Sequence, residues 1–135
     1  DKKDVNTRVT CYYMRVSEVL LMKAEAQAQS GDAGAAKATL NVLLAARTKQ
    51  GQTPLTCDTY ASMAGMTPLQ MVQLQSRIEL WGEGGHEFYN NKRWNIAVDR
   101  TSSANHIDKS TYPVAKMTLQ IPMDEMLYNE KAVQN

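Results

Sequence analysis

The feature that most constrains the fold is a pair of helix-forming segments joined by the tripeptide Ser-Gly-Asp. Apolar residues recur at alternating spacings of three and four in residues 9–30, and again in residues 33–48, which is the pattern of an amphipathic helix. Gly31 suits the left-handed position after a helix, and Asp32 is a good cap for the next one. Because so short a turn makes its helices pack antiparallel, residues 8–49 are predicted to form an αα-hairpin.

The same spacing predicts which face of each helix is buried. In the first helix the expected inward stripe is Val9, Tyr12, Tyr13, Val16, Val19, Leu20, Lys23 with Ala24, and Gln27 with Ala28. In the second helix it is Ala36, Leu40, Leu43, Leu44 and Arg47. Alanines on both helices permit a close approach, as in tetratricopeptide-type hairpins. A single hairpin cannot bury its own face, so we expect other parts of the protein to cover it.

Residues 50–66 are polar, contain Gly and Pro and show no period, so we predict a loop. A loop of this length is uncommon in a compact domain unless it packs on a neighbour or has a function. Residues 67–96 are predicted to be helical. Thr67 can cap the first of these helices, Pro68 suits its first position, and Gln70 completes a capping box.

The buried stripe of this helix is predicted to be Met71, Leu74, Ile78 and Trp81, and the helix is expected to end near Gly82. A further short helix is predicted from Gly84 or Gly85 to Trp94 or Ile96, with Phe88 inward.

The last part of the chain is predicted to be less helical. Residues 99–111 have the composition of a solvated loop. Apolar and polar residues alternate over 115–121, which predicts a short extended segment before Pro122. The stretch MDEMLYNE predicts one closing helical turn, so that 112–135 forms a C-terminal closing segment. At this length, we interpret the chain 1–135 as a single, mainly α-helical domain.

Charge and composition exclude several classes of partner. The chain has 15 basic and 14 acidic residues, a formal net charge of +1, so nothing favours nucleic acid or an anionic membrane surface. No apolar run approaches the ~20 residues that span a bilayer. The first residues contain neither Met nor a secretory signal, so we expect a processed chain or a piece of a longer one. Cys11 and Cys57 lack CxxC spacing, and free thiols are favoured over a disulfide between them.

The densest chemistry lies in residues 77–94, RIELWGEGGHEFYNNKRW. Glu79, Glu83 and Glu87 would share one face of an unbroken helix, but neighbouring cations make ion pairs the preferred interpretation over acid–base catalysis. His86 has no HExxH or related spacing around it, so neither a metal site nor a cofactor is predicted. The single KRW cluster is too small for a nucleic-acid surface.

Sugar binding is the remaining alternative for this segment. Tyrosine and tryptophan faces stack on pyranose rings, while amides and charged groups bond the hydroxyls. The candidate ligand-binding residues are Trp81, Tyr89 and Asn91, with Asn90 and Trp94 beside them. The competing interpretation, which we favour, is that Trp81 and Trp94 cover helix ends as core residues.

Three blocks of the sequence carry a shared pattern. RVSEVLLMKAEAQAQSGDAGAAKATLNVLLAAR contains Arg15, Glu18, Ala24, Glu25, Ala26, Asn41 and Arg47. RIELWGEGGHEFYNNKRW contains Arg77, Glu79, Leu80, Glu83, Gly84, Arg93 and Trp94. IPMDEMLYNEKAVQN contains Ile121, Pro122, Glu125, Asn129, Gln134 and Asn135. In this order the blocks resemble the C-terminal part of the SusD/RagB family of nutrient-binding lipoproteins of Bacteroidetes, over about residues 12–135.

The chain departs from the family pattern at two places. The family usually has Arg where His86 stands, and Asp-Leu where Tyr89 and Asn90 stand. Because the family's usual Arg and Asp are both replaced at these positions, one buried ion pair of the family is altered in this chain. The family's N-terminal portion, with its signal peptide and lipid-bearing cysteine, is expected upstream of this chain.

The resemblance implies a mostly helical, tetratricopeptide-like scaffold whose N-terminal helices pack on the hairpin. It also implies a lipoprotein on the outer face of the outer membrane, attached by an N-terminal lipid. Such a protein binds oligosaccharides or polysaccharides, in some members peptides, and hands them without enzymatic activity to a TonB-dependent β-barrel transporter. The alternative is a helical-repeat module that binds a protein or peptide and transports nothing.

The resemblance assigns residues 77–94 to the scaffold, and this yields a first prediction. Arg77→Ala or Glu83→Ala should lower the melting temperature more than it weakens ligand binding. Thermal melting and ligand titration on the same variants measure the two effects. Unchanged stability together with lost binding would show that the segment is a ligand site instead.

Overall fold

Helices make up most of the regular structure in residues 13–134, the part of the chain that the computed structural model describes. The α-helices are α1 (Val16–Gln29), α2 (Ala33–Arg47), α3 (Pro68–Glu79), α4 (His86–Arg93) and α5 (Met123–Tyr128). Two short strands, β1 (Val98–Asp99) and β2 (Thr111–Tyr112), pair antiparallel. Single 3₁₀ turns lie at Ala61–Met63 and Val114–Lys116. None of the helices in residues 13–134 is long and apolar enough to cross a membrane.

The mainly helical fold class is confirmed, whereas its tetratricopeptide-like detail stays a prediction. Contacts along the chain group into two compact units, one that ends at Trp81 and one that begins at Gly82. The first unit holds α1, α2 and α3, and the second holds α4, the two strands and α5. That residues 1–135 form a single domain likewise stays a prediction.

The predicted αα-hairpin is confirmed over the described residues, and its turn works as expected. Gly31 has φ +87°, the left-handed conformation that favours glycine, and the Ala35 N–H donates to Asp32 Oδ1 over 2.9 Å. The first helix begins at Val16, later than predicted, because Arg15 is extended (φ −105°, ψ 154°). The earlier part of that prediction, residues 9–12, lies outside the described residues.

The buried face of α1 differs from the predicted stripe. Tyr13, Val16 and Val19 are exposed, whereas the buried residues of α1 are Ser17, Leu21, Ala24 and Glu25. The reason is tertiary: α1 packs on both α2 and α3, and the face that meets both is the one with the small residues Ser17 and Ala24. In α2 the predicted stripe is confirmed except for Arg47, which is exposed and forms an ion pair.

The loop 50–66 packs on the hairpin, which is one of the two explanations that its length left open. Cys57 and Met63 are almost fully buried and join the apolar core formed with Leu21, Ala24, Leu40, Leu43, Leu44, Met71, Val72 and Leu80. Asn41 holds the loop in place, because its Oδ1 accepts the Cys57 backbone N–H over 2.7 Å. Cys57 is a free thiol whose burial raises its pKa, so it behaves as a small apolar residue. Cys11 lies outside the described residues.

The start of α3 is confirmed, and its predicted buried stripe is wrong in part. The Gln70 N–H donates to the Thr67 side chain, and the Gln70 side chain accepts the Thr67 N–H, which completes the capping box. Met71 is buried, but Ile78 and Trp81 are exposed, and the residues buried beside Met71 are Val72, Gln75 and Ser76. Packing against α1 selects this face, and Trp81 lies beyond the last helical residue, outside the helical period.

Glu79 joins the ends of the three helices of the first unit. Its side chain is only 5% exposed and accepts hydrogen bonds from two arginines. Arg47 Nε donates to Oε2 over 2.9 Å and its Nη2 contacts Oε1, while Arg15 Nη1 lies 3.4 Å from Oε1. Arg15 Nη2 also donates to the Glu79 carbonyl oxygen over 2.8 Å. The bond from Arg47 is the main reason that the pKa of Glu79 is lowered.

The second unit differs from expectation between α4 and α5. Residues 99–111 form a β-hairpin loop with a strand residue at each end, instead of a solvated loop alone. The extended segment predicted over 115–121 is wrong at its start, because Val114–Lys116 forms a 3₁₀ turn, and within residues 13–134 the rest of it pairs with no strand. Alternation along one segment makes a strand only when a partner supplies its hydrogen bonds. The closing helical turn is confirmed as α5.

The glutamate cluster yields a prediction on stability. Glu79→Gln should lower the free energy of unfolding by about 1–2 kcal/mol at pH 7, since a buried carboxylate with two guanidinium partners loses its charge-assisted bonds. The folded pKa of Glu79 lies below its ordinary value of 4.5. The stabilisation is therefore fully present when the pH is above the ordinary pKa of 4.5, and it is lost as the pH falls through the lower pKa of the folded state. Denaturant titrations of the full-length protein from pH 7 to pH 3 measure this.

Glu130→Gln is the matched control, because it makes the same chemical change at an exposed glutamate. We expect the wild type and Glu79→Gln to converge in stability at low pH, and Glu130→Gln to follow the wild type throughout. A Glu79→Gln deficit that is independent of pH would mean that the charge of Glu79 contributes nothing.

Candidate functional site

The three predicted ligand residues are divided between the two units of the chain. Trp81 is the last residue of the first unit and is 81% exposed, which contradicts its assignment to the core. Tyr89 and Asn91 lie on α4 of the second unit; Tyr89 is 64% exposed and Asn91 only 3%. Trp94 is half-buried, with the Arg93 guanidinium 5.1 Å from its ring centroid. Asn91 is among the residues that line a cavity of the second unit.

That cavity, which we call the α4–hairpin cavity, lies within the second unit and has a volume of about 540 Å³. From α4 it is lined by Glu87, Phe88 and Asn91. From β1 and the loop that follows, it is lined by Val98, Asp99, Arg100, Ser103 and His106. Its size is within the range of about 300–1,000 Å³ that small-molecule sites occupy.

Local backbone geometry places the α4 side of the cavity. Gly85 precedes the helix with φ +74°, and a Cβ there would lie 3.3 Å from the Tyr89 ring, so only glycine fits without a shift. Glu87 and Asn91 are four residues apart, so they share one helix face. Asn95 takes φ +55° after the helix, a conformation that asparagine tolerates better than most residues, and the chain turns there towards β1.

Phe88 was predicted to point inward, but it is 39% exposed and forms part of the cavity wall. Its ring packs edge-on against Tyr89, with the centroids 5.4 Å apart and the planes at 81°. This contact orients the Phe88 ring before any ligand arrives.

Asp99 lies on β1, opposite Thr111 in the strand register. Its Oδ1 accepts the Thr101 backbone N–H over 2.9 Å and the Thr111 hydroxyl over 3.3 Å. The Thr101 backbone hydrogen bond is the largest of the effects that lower the pKa of Asp99. The carboxylate therefore remains ionised at neutral pH and is held in place as a hydrogen-bond acceptor.

Arg100 brings a guanidinium group to the cavity, and one of its N–H donors has no hydrogen-bond partner in residues 13–134. Its guanidinium carbon lies 4.8 Å from the centroid of the Tyr112 ring, a cation–π contact. The Tyr112 hydroxyl in turn donates to the Asp108 carboxylate and lowers its pKa. Arg100 Nε is buried and has no hydrogen-bond partner within residues 13–134.

Ser103 and His106 complete the loop side of the cavity. The Ser103 hydroxyl and His106 Nδ1 share a hydrogen bond of 2.7 Å, and the Asn105 N–H donates to the same hydroxyl over 3.3 Å. The cavity thus combines carboxylate acceptors, a guanidinium donor, an amide and an aromatic wall. No group of three or more His, Cys, Asp or Glu side chains in residues 13–134 is arranged to hold a metal ion.

Sequence reasoning missed the loop half of this cavity. The stretch from Asp99 to His106 is polar and has no period, so it matched a solvated loop. The pairing that folds it over α4 involves only two residues on each strand, which is too short for an alternation signal.

A protein-family model, described as the SusD family, matches residues 2–135. The chain belongs to the SusD family. The suspected resemblance is thereby confirmed. Comparison with curated proteins and with solved structures finds no match for this chain.

Membership of the SusD family indicates glycan or nutrient binding at the cell surface. Proteins of the SusD family are generally non-enzymatic and typically associated with the outer membrane. They bind glycans and partner in general with TonB-dependent transporters.

Several SusD signature positions make structural contacts in this chain. Glu25 is buried in α1, and Asn129 Nδ2 donates to Glu125 Oε1 over 2.6 Å at the end of α5. Arg93 stacks on Trp94, outside the lining of the α4–hairpin cavity. These contacts agree with a scaffold role for the signature, which stays a prediction.

The Arg100–Tyr112 contact yields a prediction. Tyr112→Leu removes the ring that supports Arg100, whereas Tyr112→Phe keeps the ring and removes only the hydroxyl. The leucine variant should lower the free energy of hairpin opening by about 0.5–1 kcal/mol relative to the phenylalanine variant. Amide hydrogen exchange at Arg100, whose N–H donates to the Ser110 carbonyl over 3.2 Å, measures this.

The NMR signal of the Arg100 Nε–H provides a second readout, because it experiences the ring current of Tyr112. It should keep its position in Tyr112→Phe and move in Tyr112→Leu. Equal spectra and equal exchange rates in both variants would mean that the ring does not position Arg100.

Proposed function

We propose that this chain forms part of a cell-surface protein that binds an oligosaccharide and delivers it, chemically unchanged, to a TonB-dependent transporter of the outer membrane. The observation that carries the proposal is the match of the SusD family model to residues 2–135. Attachment to the outer membrane through a lipid upstream of this chain is part of the same proposal.

The hydrogen bonding of Asp99 supports a role for this carboxylate in binding rather than as the acid of a cleavage reaction. Hydrolysis of a glycosidic bond usually requires one carboxyl group with a raised pKa, which protonates the leaving oxygen. The pKa of Asp99 is lowered instead, by the hydrogen bonds from Thr101 and Thr111. A carboxylate of this kind accepts hydrogen bonds from sugar hydroxyls but is a poor general acid at neutral pH.

Delivery requires a lasting complex with the transporter, and this is the property to test. The full-length protein is tagged, extracted gently from outer membranes and purified with its associated proteins. We expect a large β-barrel protein to co-purify at about one copy per tagged chain. An unrelated outer-membrane lipoprotein with the same tag and expression level is the control, and it should not bring down the barrel.

A protein that purifies alone, or that fractionates away from the membrane, would contradict the delivery role. The helical-repeat module that binds a protein or peptide would then become the better interpretation.

A further inference from the structure

We infer that the α4–hairpin cavity is a binding site for a short neutral oligosaccharide, in which Phe88 carries a sugar ring and Arg100, Glu87 and Asp99 bond its hydroxyls. This inference rests on the proposed function, because it assumes that the protein binds glycans. It adds which residues bind and which class of glycan they select.

The first step is the apolar contact. A pyranose ring has one face made mainly of C–H groups, and such faces stack on aromatic rings. Phe88 offers an accessible ring in the cavity wall, held by its edge contact with Tyr89. Val98 provides further apolar surface in the same cavity.

The second step is hydrogen bonding. A sugar hydroxyl donates one hydrogen bond and accepts others, so a site for sugars needs both acceptors and donors. Glu87 and Asp99 supply carboxylate acceptors, and Arg100 supplies guanidinium donors. The Arg100 Nε–H is buried and has no partner in residues 13–134, so the protein leaves this guanidinium incompletely hydrogen-bonded, and the rest of the group is the part that meets a ligand in the cavity.

The third step is charge. The cavity is lined by two carboxylates, Glu87 and Asp99, and one guanidinium, Arg100, so these three side chains together carry a net charge of −1. An anionic ligand such as a uronic acid or a sulfated sugar would meet two carboxylates for a single cation. Ligands that only accept hydrogen bonds would also leave those carboxylates without donors. A neutral sugar avoids the repulsion from the two carboxylates, and its hydroxyls donate hydrogen bonds to them.

The fourth step is pre-organisation. Asp99 is held by Thr101 and Thr111, Arg100 by the Tyr112 ring, and His106 by the Ser103 hydroxyl. Side chains that are already fixed lose little conformational freedom when a ligand binds. These contacts lie within the hairpin and its loop, so they are present before a ligand arrives.

The experiment is a calorimetric titration of the full-length protein. The probes are neutral hexasaccharides of glucose, mannose, xylose and galactose, together with an oligogalacturonate of the same length. We expect the wild type to bind at least one neutral probe and to bind the oligogalacturonate more weakly. Arg100→Gln should raise the Kd for the neutral probe by about 10- to 100-fold, as expected for a lost charge-assisted hydrogen bond.

Lys109→Gln is the matched control, because it removes the same charge from an exposed position of the same loop, outside the cavity lining. It should change the Kd by less than about twofold, the effect of a screened surface charge. Arg100→Lys keeps the charge and removes the planar guanidinium with its several donors, so it should bind more weakly than the wild type. Glu87→Gln is at an exposed helical position and should reduce the preference for neutral over acidic probes by about fivefold.

The outcomes separate the two proposals. A wild type that binds a neutral probe with the same Kd as Arg100→Gln and Glu87→Gln would overturn this inference and leave the proposed function standing. A wild type that prefers the oligogalacturonate would overturn the neutral class. A wild type that binds none of the glycans would overturn the proposed function and this inference with it. If Arg100→Gln does not fold, the selectivity of Glu87→Gln decides.

Discussion

The first unit depends on a buried carboxylate that three helix ends share. Glu79 at the end of α3 receives hydrogen bonds from Arg15, just before α1, and from Arg47, at the end of α2. A carboxylate whose side chain is only 5% exposed is unfavourable without partners, so the two guanidinium groups stabilise it where it lies. The apolar core then packs in the geometry that this ionic cluster allows, including the loop held by Asn41.

The second unit is built on a different principle. Among residues 82–134 the buried side chains are Asn91 and Met117, so apolar burial contributes little there. Its geometry comes from hydrogen bonds and ring contacts instead: Asp99 with its threonines, and Arg100 on Tyr112. A binding site for hydroxyl-bearing ligands needs polar groups that are held in place and remain accessible.

In this member of the SusD family, residues that pack the helices are separate from residues that line the α4–hairpin cavity. Signature residues such as Arg15 and Glu79 hold helices together, and Arg93 stacks on its neighbour Trp94. The residues that line the α4–hairpin cavity lie outside the signature positions. A scaffold whose packing residues are separate from its cavity residues can change its ligand without losing its fold.

Several local features follow from the amino-acid sequence alone: the αα-hairpin with its Gly31 turn, the capping box that begins α3, the short α4 and the closing α5. Each depends on residues within a few positions of one another, so caps and helical spacing are enough to predict it. Tertiary structure decided which face of α1 is buried, because that face must meet α2 and α3 together. It also decided the cavity, since the β1–β2 pairing joins residues more than ten positions apart and has no local signal.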